Sequence, residues 1–277
     1  MSDPRASLLL AMADDELILG HRLSEWTGWV PYIEEDLALS SIAQDEIAHA
    51  RMLLDILSTI DGRDPDALAL GRAPGEYRNA ILVEQPNTDF AFTLARHWLY
   101  DHADDVRLRA LQASSFKELR EAATMLLLEE RYHLEHADAW FRRLADGPVE
   151  ARHRFGEALV NTIGMAEAIF ETVDDEPALV SDGTLPRSGE ELRYEWLARI
   201  AEMLGEAGFD QVLTARAEPS TGEMVPTSTG EIEATVERPA ANSRNGFGGR
   251  RGQHSEHFEP LWQEMTALYR AHPGARW

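Results

Sequence analysis

Large apolar residues recur three and four positions apart through the first half of the chain, which is the spacing of one helix face. No alternating run of β-branched residues flanked by turn signals competes with that pattern. Asp3-Pro4 supplies an N-cap and a first-turn proline for a helix running to about Trp26. A second helix follows Pro31, from about Glu34 to Ile60, and Asp61-Gly62 stops it. A third is expected from about Asp89 to Ala113 and a fourth from about Phe116 to Ala145, before Asp146-Gly147-Pro148.

The link between the second and third helices, Asp61 to about Thr88, is rich in Gly, Pro and Asp. It is longer than antiparallel neighbours need, and a long crossover at that position is what a ferritin-like bundle requires. The fold class expected is therefore all-α: a four-helix bundle over about residues 4–145 with a long crossover and additional C-terminal helices, in a single domain covering 1–277. A fifth helix is expected from about Glu150 to Asp174, with Phe155, Leu159, Ala166 and Phe170 on one side. Ser188 with Glu191 makes a capping box for a sixth that ends near Gly205, so accessory helices occupy about 150–207. The Pro, Gly, Ser and Thr content of about 215–253 reads as a flexible loop. A last helix, about 256–272, places Leu261, Met265 and Leu268 at helical spacing.

Acids and histidines interrupt the apolar stripes at one depth. On the second helix the stripe reads Leu39, Ile42, Glu46, His49, Leu53, Ile56; on the fourth, Leu119, Ala123, Leu126, Glu130, His133, Ala137, Trp140, Leu144. Both interruptions are Glu-x-x-His. In a chain with 30 glutamates and 10 histidines that pair arises by chance about once, so helical context has to separate signal from noise. The remaining copy, Glu150 and His153, shares its turns with Asp146, Arg154 and Glu157 and reads as a solvated helix start. The first helix offers Glu16 between Met12 and Leu19. The third offers Asp101, with Asp105 and Asp104 as alternatives. Asp101 lies 29 residues before Glu130, as Glu16 lies 30 before Glu46.

Glu16, Glu46, His49, Asp101, Glu130 and His133 are thus expected to line a site for two metal ions, since inward carboxylates and Glu-x-x-His pairs on four helices are the di-metal ligand pattern. Four carboxylates balance two divalent cations, whereas empty, ionised groups in an apolar core would each cost several kcal/mol. Asp45 and Glu129, each one residue ahead of its motif glutamate, are expected to face the histidine of the opposite motif and accept its other N–H. His97, His102, Tyr132 and His136 read as polar residues flanking that layer. Oxygen and imidazole donors suit iron and also manganese.

Composition narrows the chemistry further. The chain has no cysteine, which excludes thiolate metal sites and cysteine nucleophiles. Its net charge of −23 excludes nucleic acid as a natural partner. No apolar run reaches the roughly 18 residues of a membrane span, and the N-terminus lacks a signal-peptide layout, so a cytoplasmic location is expected. Lys117 is the only lysine beside 25 arginines, and this acidic, arginine-based coat suggests a halophilic source. Gly246-Phe247-Gly248-Gly249 precedes Arg250-Arg251 but follows no strand, so a phosphate loop is not expected; the arginines are free to meet an anionic group or a partner's carboxylates.

Several segments carry a resemblance: His21-Arg22-Leu23-Ser24-Glu25-Trp26-Thr27-Gly28, Glu34-Glu35-Asp36-Leu37-Ala38-Leu39-Ser40, Val83-Glu84-Gln85-Pro86-Asn87, Glu129-Glu130-Arg131-Tyr132-His133-Leu134, and the tail from Gly248 to His257 and from His272 to Trp277. Together they resemble the phenylacetyl-CoA 1,2-epoxidase subunit family of phenylacetate degradation, a ferritin-like group related to bacterial multicomponent monooxygenases, and its C-type members in particular. The resemblance implies a complex with an A-type subunit that binds the coenzyme A thioester and holds a di-iron centre, served by a reductase. It also implies an O2-dependent monooxygenase that passes one oxygen atom to the aromatic ring. C-type subunits of that family act as scaffolds with degenerate metal ligands, yet here Glu16, Glu46, His49, Asp101, Glu130 and His133 match the complete set. The alternatives are a scaffold that keeps a non-catalytic metal and a ferritin-like iron oxidase; the long crossover and extra C-terminal helices argue against the second.

Overall fold

The computed structural model describes residues 3–30, 32–217 and 246–275, and helices are the only regular elements among them. Helix α1 (Pro4–Ser24) starts where the Asp3 side chain accepts the Arg5 N–H, and α2 (Ile33–Asp61) stops at Gly62, whose φ of 74° is the left-handed conformation that favours glycine. The crossover carries α3 (Pro65–Leu70) and α4 (Ile81–Glu84), short helices that its turn residues conceal. Helix α5 (Phe90–Leu111) is capped by Asp89, and α6 (Lys117–Ala145) closes the bundle.

Two apolar clusters fill the bundle, with a polar layer between them. Leu9 and Met12 of α1, Leu53 and Leu57 of α2, Leu108 of α5 and Leu119, Ala123 and Leu126 of α6 pack at one end. Leu19 and Leu23, Leu39 and Ile42, Leu94 and Trp98, and Ala137 and Phe141 pack at the other. Chain direction follows from that partition. Helices α1 and α6 run from the first cluster to the second, and α2 and α5 run back, so α5 begins at the far end from where α2 finishes. The crossover must therefore travel the length of the bundle, and Leu68 in the first cluster and Tyr77 and Ile81 in the second mark its path.

Beyond the bundle, α7 (Val149–Ala166) ends earlier than the periodicity suggests, because Glu167–Phe170 tighten into a 3₁₀ turn. Phe155, Leu159, Ala166 and Phe170 are nevertheless all buried. Then come α8 (Glu176–Ser181), α9 (Gly189–Glu206), α10 (Asp210–Ala217) and α11 (Phe258–Ala271). The Ser188–Glu191 capping box is formed at the start of α9. On α6 the inward stripe shifts by one residue past the polar layer: Phe141 and Ala145 are buried, while Trp140 and Leu144 are half-buried. Packing there is shared with the accessory helices, since Phe141 stacks on Trp98 at 4.3 Å and meets Phe155 and Phe209 edge-on. Ile56 is likewise half-buried, and Leu268 on α11 is 57% exposed although Leu261 is buried.

The flexible-loop expectation for 215–253 is corrected at both ends; residues 218–245 lie outside the described residues. Its first residues finish α10, and its last pack against the core. Gly249 lies so close to the Asn79 carbonyl that an added Cβ would stand 2.1 Å from it, and Gly252 (φ 72°) meets the Gly75 carbonyl in the same way. This close approach carries Arg250 inside, where it donates to Asp15 at 2.8 and 2.7 Å and to the carbonyls of Ala11, Arg78 and Ile169. The anionic group awaiting that arginine is a carboxylate of the same chain.

Asp14, Asp15 and Glu16 are consecutive on α1 and all fully buried. Successive residues point about 100° apart, so each acid meets a different neighbour. Asp14 pairs with Arg72 and accepts the Arg78 N–H. Asp15 accepts from Arg250, from Arg107 at 2.8 Å and from the Ala80 N–H at 2.7 Å. Burial works against its charge, but Arg250 and Arg107 hold its carboxyl below the usual range. Arg250→Ala leaves part of a buried charge uncompensated and should cost about 3–5 kcal/mol, read as a lower urea midpoint. Arg251→Ala, on the exposed neighbour, should stay within about 0.5 kcal/mol.

Candidate metal centre

Glu16 is the acid of that trio with no arginine. Its Oε1 accepts from the Tyr100 hydroxyl at 2.9 Å and its Oε2 has no hydrogen-bond partner. The turn of α1 that carries it crosses α2 closely enough that a Cβ on Gly20 would meet the Ala43 carbonyl and the Ile47 side chain at 2.9 Å. Helical spacing on α2 and α6 brings the paired motifs to the same depth. One ligand atom each from Glu16, Glu46, His49 and Glu130 lies within 4.8 Å of the others, and all four residues are buried.

The histidines sit on either side of Glu130. Its Oε1 is 3.2 Å from His49 Nδ1 and 3.1 Å from His133 Nδ1, and Glu46 Oε1 is 3.5 Å from His133 Nδ1. Glu16 Oε2 is 3.7 Å from His49 Nδ1. The opposite ring nitrogens face outward: His49 Nε2 is 2.7 Å from Glu129 Oε2, and His133 Nε2 is 3.4 Å from Asp45 Oδ2. Each acid thus faces the histidine of the other helix, the crossed arrangement anticipated from the sequence. An outer carboxylate fixes the tautomer that leaves Nδ1 turned to the core.

Asp101 stands beside this group. Both of its oxygens lack a hydrogen bond, and Oδ1 is 3.1 Å from His97 Nδ1. The two alternatives on α5 are engaged by arginine: Asp105 with Arg109 and Arg199, and Asp104 Oδ1 with Arg107. His153 pairs with Glu157 in solvent, as expected of a solvated helix start.

The charges of the layer act strongly on one another. Burial, then the charges of Glu16 and Glu130, push the Glu46 carboxyl far up, and burial with Glu130 does the same to Asp101. Burial would pull both imidazoles down, yet the carboxylates at Glu130 and Glu16 push His49 up to about 12, and Glu130 with Asp101 pushes His133 up to about 10. Glu46, with both oxygens unpartnered, Glu16 Oε2, Glu130 Oε2 and His49 Nδ1 are orphaned buried donor and acceptor atoms in one layer. That is the chemistry a pair of divalent cations satisfies.

A family model described as "Phenylacetic acid catabolic protein" matches residues 1–226. The chain belongs to that family. It is also 30% identical over 271 residues to the C-type subunit of the 1,2-phenylacetyl-CoA epoxidase of Escherichia coli (strain K12), an alignment covering 97% of each chain. Among the described residues no helix is long and apolar enough to cross a membrane.

Two residues beside the layer carry more than their sequence context suggests. Tyr100, fully buried, links Arg107 (3.1 Å) to Glu16, a role that no motif in the sequence signals. His97, also fully buried, reads as a flanking residue, although its i, i+4 spacing to Asp101 is an available signal.

The raised imidazole values fix a pH dependence for the metal-free chain. Protonated His49 and His133 contribute stability that is complete below their unfolded value of about 6.5. It is lost as pH rises through the folded values of about 10 and about 12. The urea midpoint of the metal-free protein should therefore fall between about pH 6.5 and pH 9, and divalent metal should abolish most of that fall while releasing protons.

Proposed function

We propose that this chain is a C-type subunit of a phenylacetyl-CoA epoxidase complex that itself holds two iron ions, with manganese as the alternative. Iron bound there supplies O2 activation and single-electron redox chemistry. Glu16, Glu46, His49, Asp101, Glu130 and His133 would hold the ions. Asp45 and Glu129 would keep each imidazole in the tautomer that presents Nδ1 inward. The observation that carries this reading is the set of orphaned, buried carboxylate and imidazole atoms gathered at one depth.

The chain's own residues divide the remaining work. Glu130 Oε1, 3.2 Å from His49 Nδ1 and 3.1 Å from His133 Nδ1, would serve as a carboxylate ligand between the two imidazoles. Tyr100 and Arg107 hold Glu16 in its orientation. The apolar clusters above and below keep bulk water from the layer. The A-type subunit, which binds the coenzyme A thioester, and a reductase are the partners proposed. Large apolar side chains left exposed on α2 (Leu37, Ile47) and α6 (Met125, Leu128, Tyr132) offer surface for such a neighbour. A cytoplasmic location and a halophilic source complete the reading, and unfolding upon transfer from molar salt to dilute buffer is the expected behaviour of such an acidic coat.

Elemental analysis should find close to two metal ions per wild-type chain and strong loss in Glu46→Ala and His133→Ala, with the A-type partner still co-purifying. Loss of the partner with metal unchanged would overturn this assignment. Metal bound without O2 consumption, whatever reductase is supplied, would reduce the centre to a folding staple.

A further inference from the structure

A third imidazole lies against an acid of the polar layer: His97 Nδ1 is 3.1 Å from Asp101 Oδ1. His97 sits one turn before Asp101 on α5 and is fully buried. A hydrogen-bond chain leads outward from it. His97 Nε2 is 3.3 Å from His136 Nδ1, His136 Nε2 is 2.9 Å from Glu35 Oε1, and Glu35 Oε2 accepts the Trp140 indole N–H at 2.8 Å.

The polarity of that chain decides what His97 can do. Glu35, a carboxylate, accepts hydrogen bonds at both oxygens, one from the Trp140 N–H and one from the His136 Nε2–H, and in the neutral His136 ring this leaves Nδ1 as an acceptor. His97 Nε2 therefore carries its ring proton and donates it outward, and Nδ1 is left as a bare lone pair. The opposite polarity would put a hydrogen on His97 Nδ1 aimed at Asp101. The 3.1 Å contact there lacks hydrogen-bond alignment, and neither His97 Nδ1 nor either Asp101 oxygen has a hydrogen-bond partner.

Two lone-pair atoms facing each other in a dry interior repel unless a cation or proton lies between them. Two metal–ligand bonds of about 2.1 Å at a right angle separate their donor atoms by about 3.0 Å, close to the gap observed. The same signature marks His49 and His133: Nδ1 within 3.1–3.7 Å of buried carboxylates, and Nε2 held by an outer acceptor. The Asp101 side chain is also one methylene shorter than the glutamates on the other three helices, so a second donor from α5 suits that side of the layer. Being neutral, it leaves the balance between four carboxylates and two divalent ions unchanged.

We propose that His97 is a third imidazole ligand of the metal pair, binding through Nδ1 beside Asp101 and His133, with His136 and Glu35 fixing its tautomer. This rests on the reading of the layer as a two-metal site. It makes the two positions unequal: Glu16 and His49 serve one, and Asp101, His133 and His97 serve the other.

The test uses the full chain. Co(II) titration followed by visible absorption should show two unequal binding steps in the wild type. In His97→Ala one step should weaken by roughly tenfold or more with an altered absorption band, and added imidazole should restore the band by filling the vacated position. His102→Gln, at a histidine held by Asp138, should titrate like wild type. Because His97→Ala could fail to fold, wild-type protein labelled with ¹⁵N-histidine and loaded with Mn(II) gives an independent count by pulsed EPR: three directly coupled ring nitrogens are expected. Two coupled nitrogens, or a His97→Ala titration identical to wild type while His133→Ala is impaired, would overturn the role of His97 alone. A wild type that binds no metal would overturn it together with the two-metal reading.

Discussion

Buried carboxylates in this protein have to find positive charge. Ionised oxygens in a dry helical core cost several kcal/mol each when uncompensated, against a total stability of roughly 5–15 kcal/mol for a domain. Helix α1 shows two solutions side by side. Asp14 and Asp15 meet Arg72, Arg107 and Arg250, whereas Glu16 and the acids level with it meet histidines and one another. Arginine thus neutralises Asp14 and Asp15, while the acids level with Glu16 are left to histidine and to the cations proposed above. Among the described residues, no arginine pairs with the carboxylates of Glu16, Glu46, Asp101 or Glu130.

That division also ties distant parts of the chain together. Arg250, near the C-terminus, and Arg107, on α5, share Asp15; Arg107 also donates to Tyr100, which holds Glu16. The tail is therefore connected to the polar layer by a short run of charge-assisted hydrogen bonds. The glycines at 249 and 252 serve this arrangement, because they let the backbone approach Asn79 and Gly75 closely enough for Arg250 to enter.

The bundle is legible in the sequence because its stripes are long and strongly periodic, and because helix ends carry explicit signals: Asp3-Pro4, Asp61-Gly62, and Ser188 with Glu191. The three glutamates and one histidine at 16, 46, 49 and 130 stand out because they break apolar lines at matched depths. What stays hidden depends on contacts that no local pattern encodes. The tail's composition suggests a loop, but the buried Arg250–Asp15 ion pair and the hydrogen bonds that Arg250, Gly248 and Ser255 make to the rest of the chain outweigh composition there. The short crossover helices are too brief to show periodicity. The slip of the α6 stripe from Trp140 to Phe141 comes from packing against α7 and Phe209. His97 reads as a flank because its partners His136 and, through it, Glu35 lie on other helices, which its own sequence context does not show.

Whether a pair of divalent cations completes the polar layer is tested most directly by a crystal structure of the iron-loaded protein with anomalous scattering at the iron edge. Two peaks are expected between α1, α2, α5 and α6, each about 2.0–2.2 Å from the oxygens and Nδ1 atoms that face the layer. A fully loaded crystal with no peak at that depth, its acids and imidazoles bound instead to ordered water or to one another, would contradict that completion.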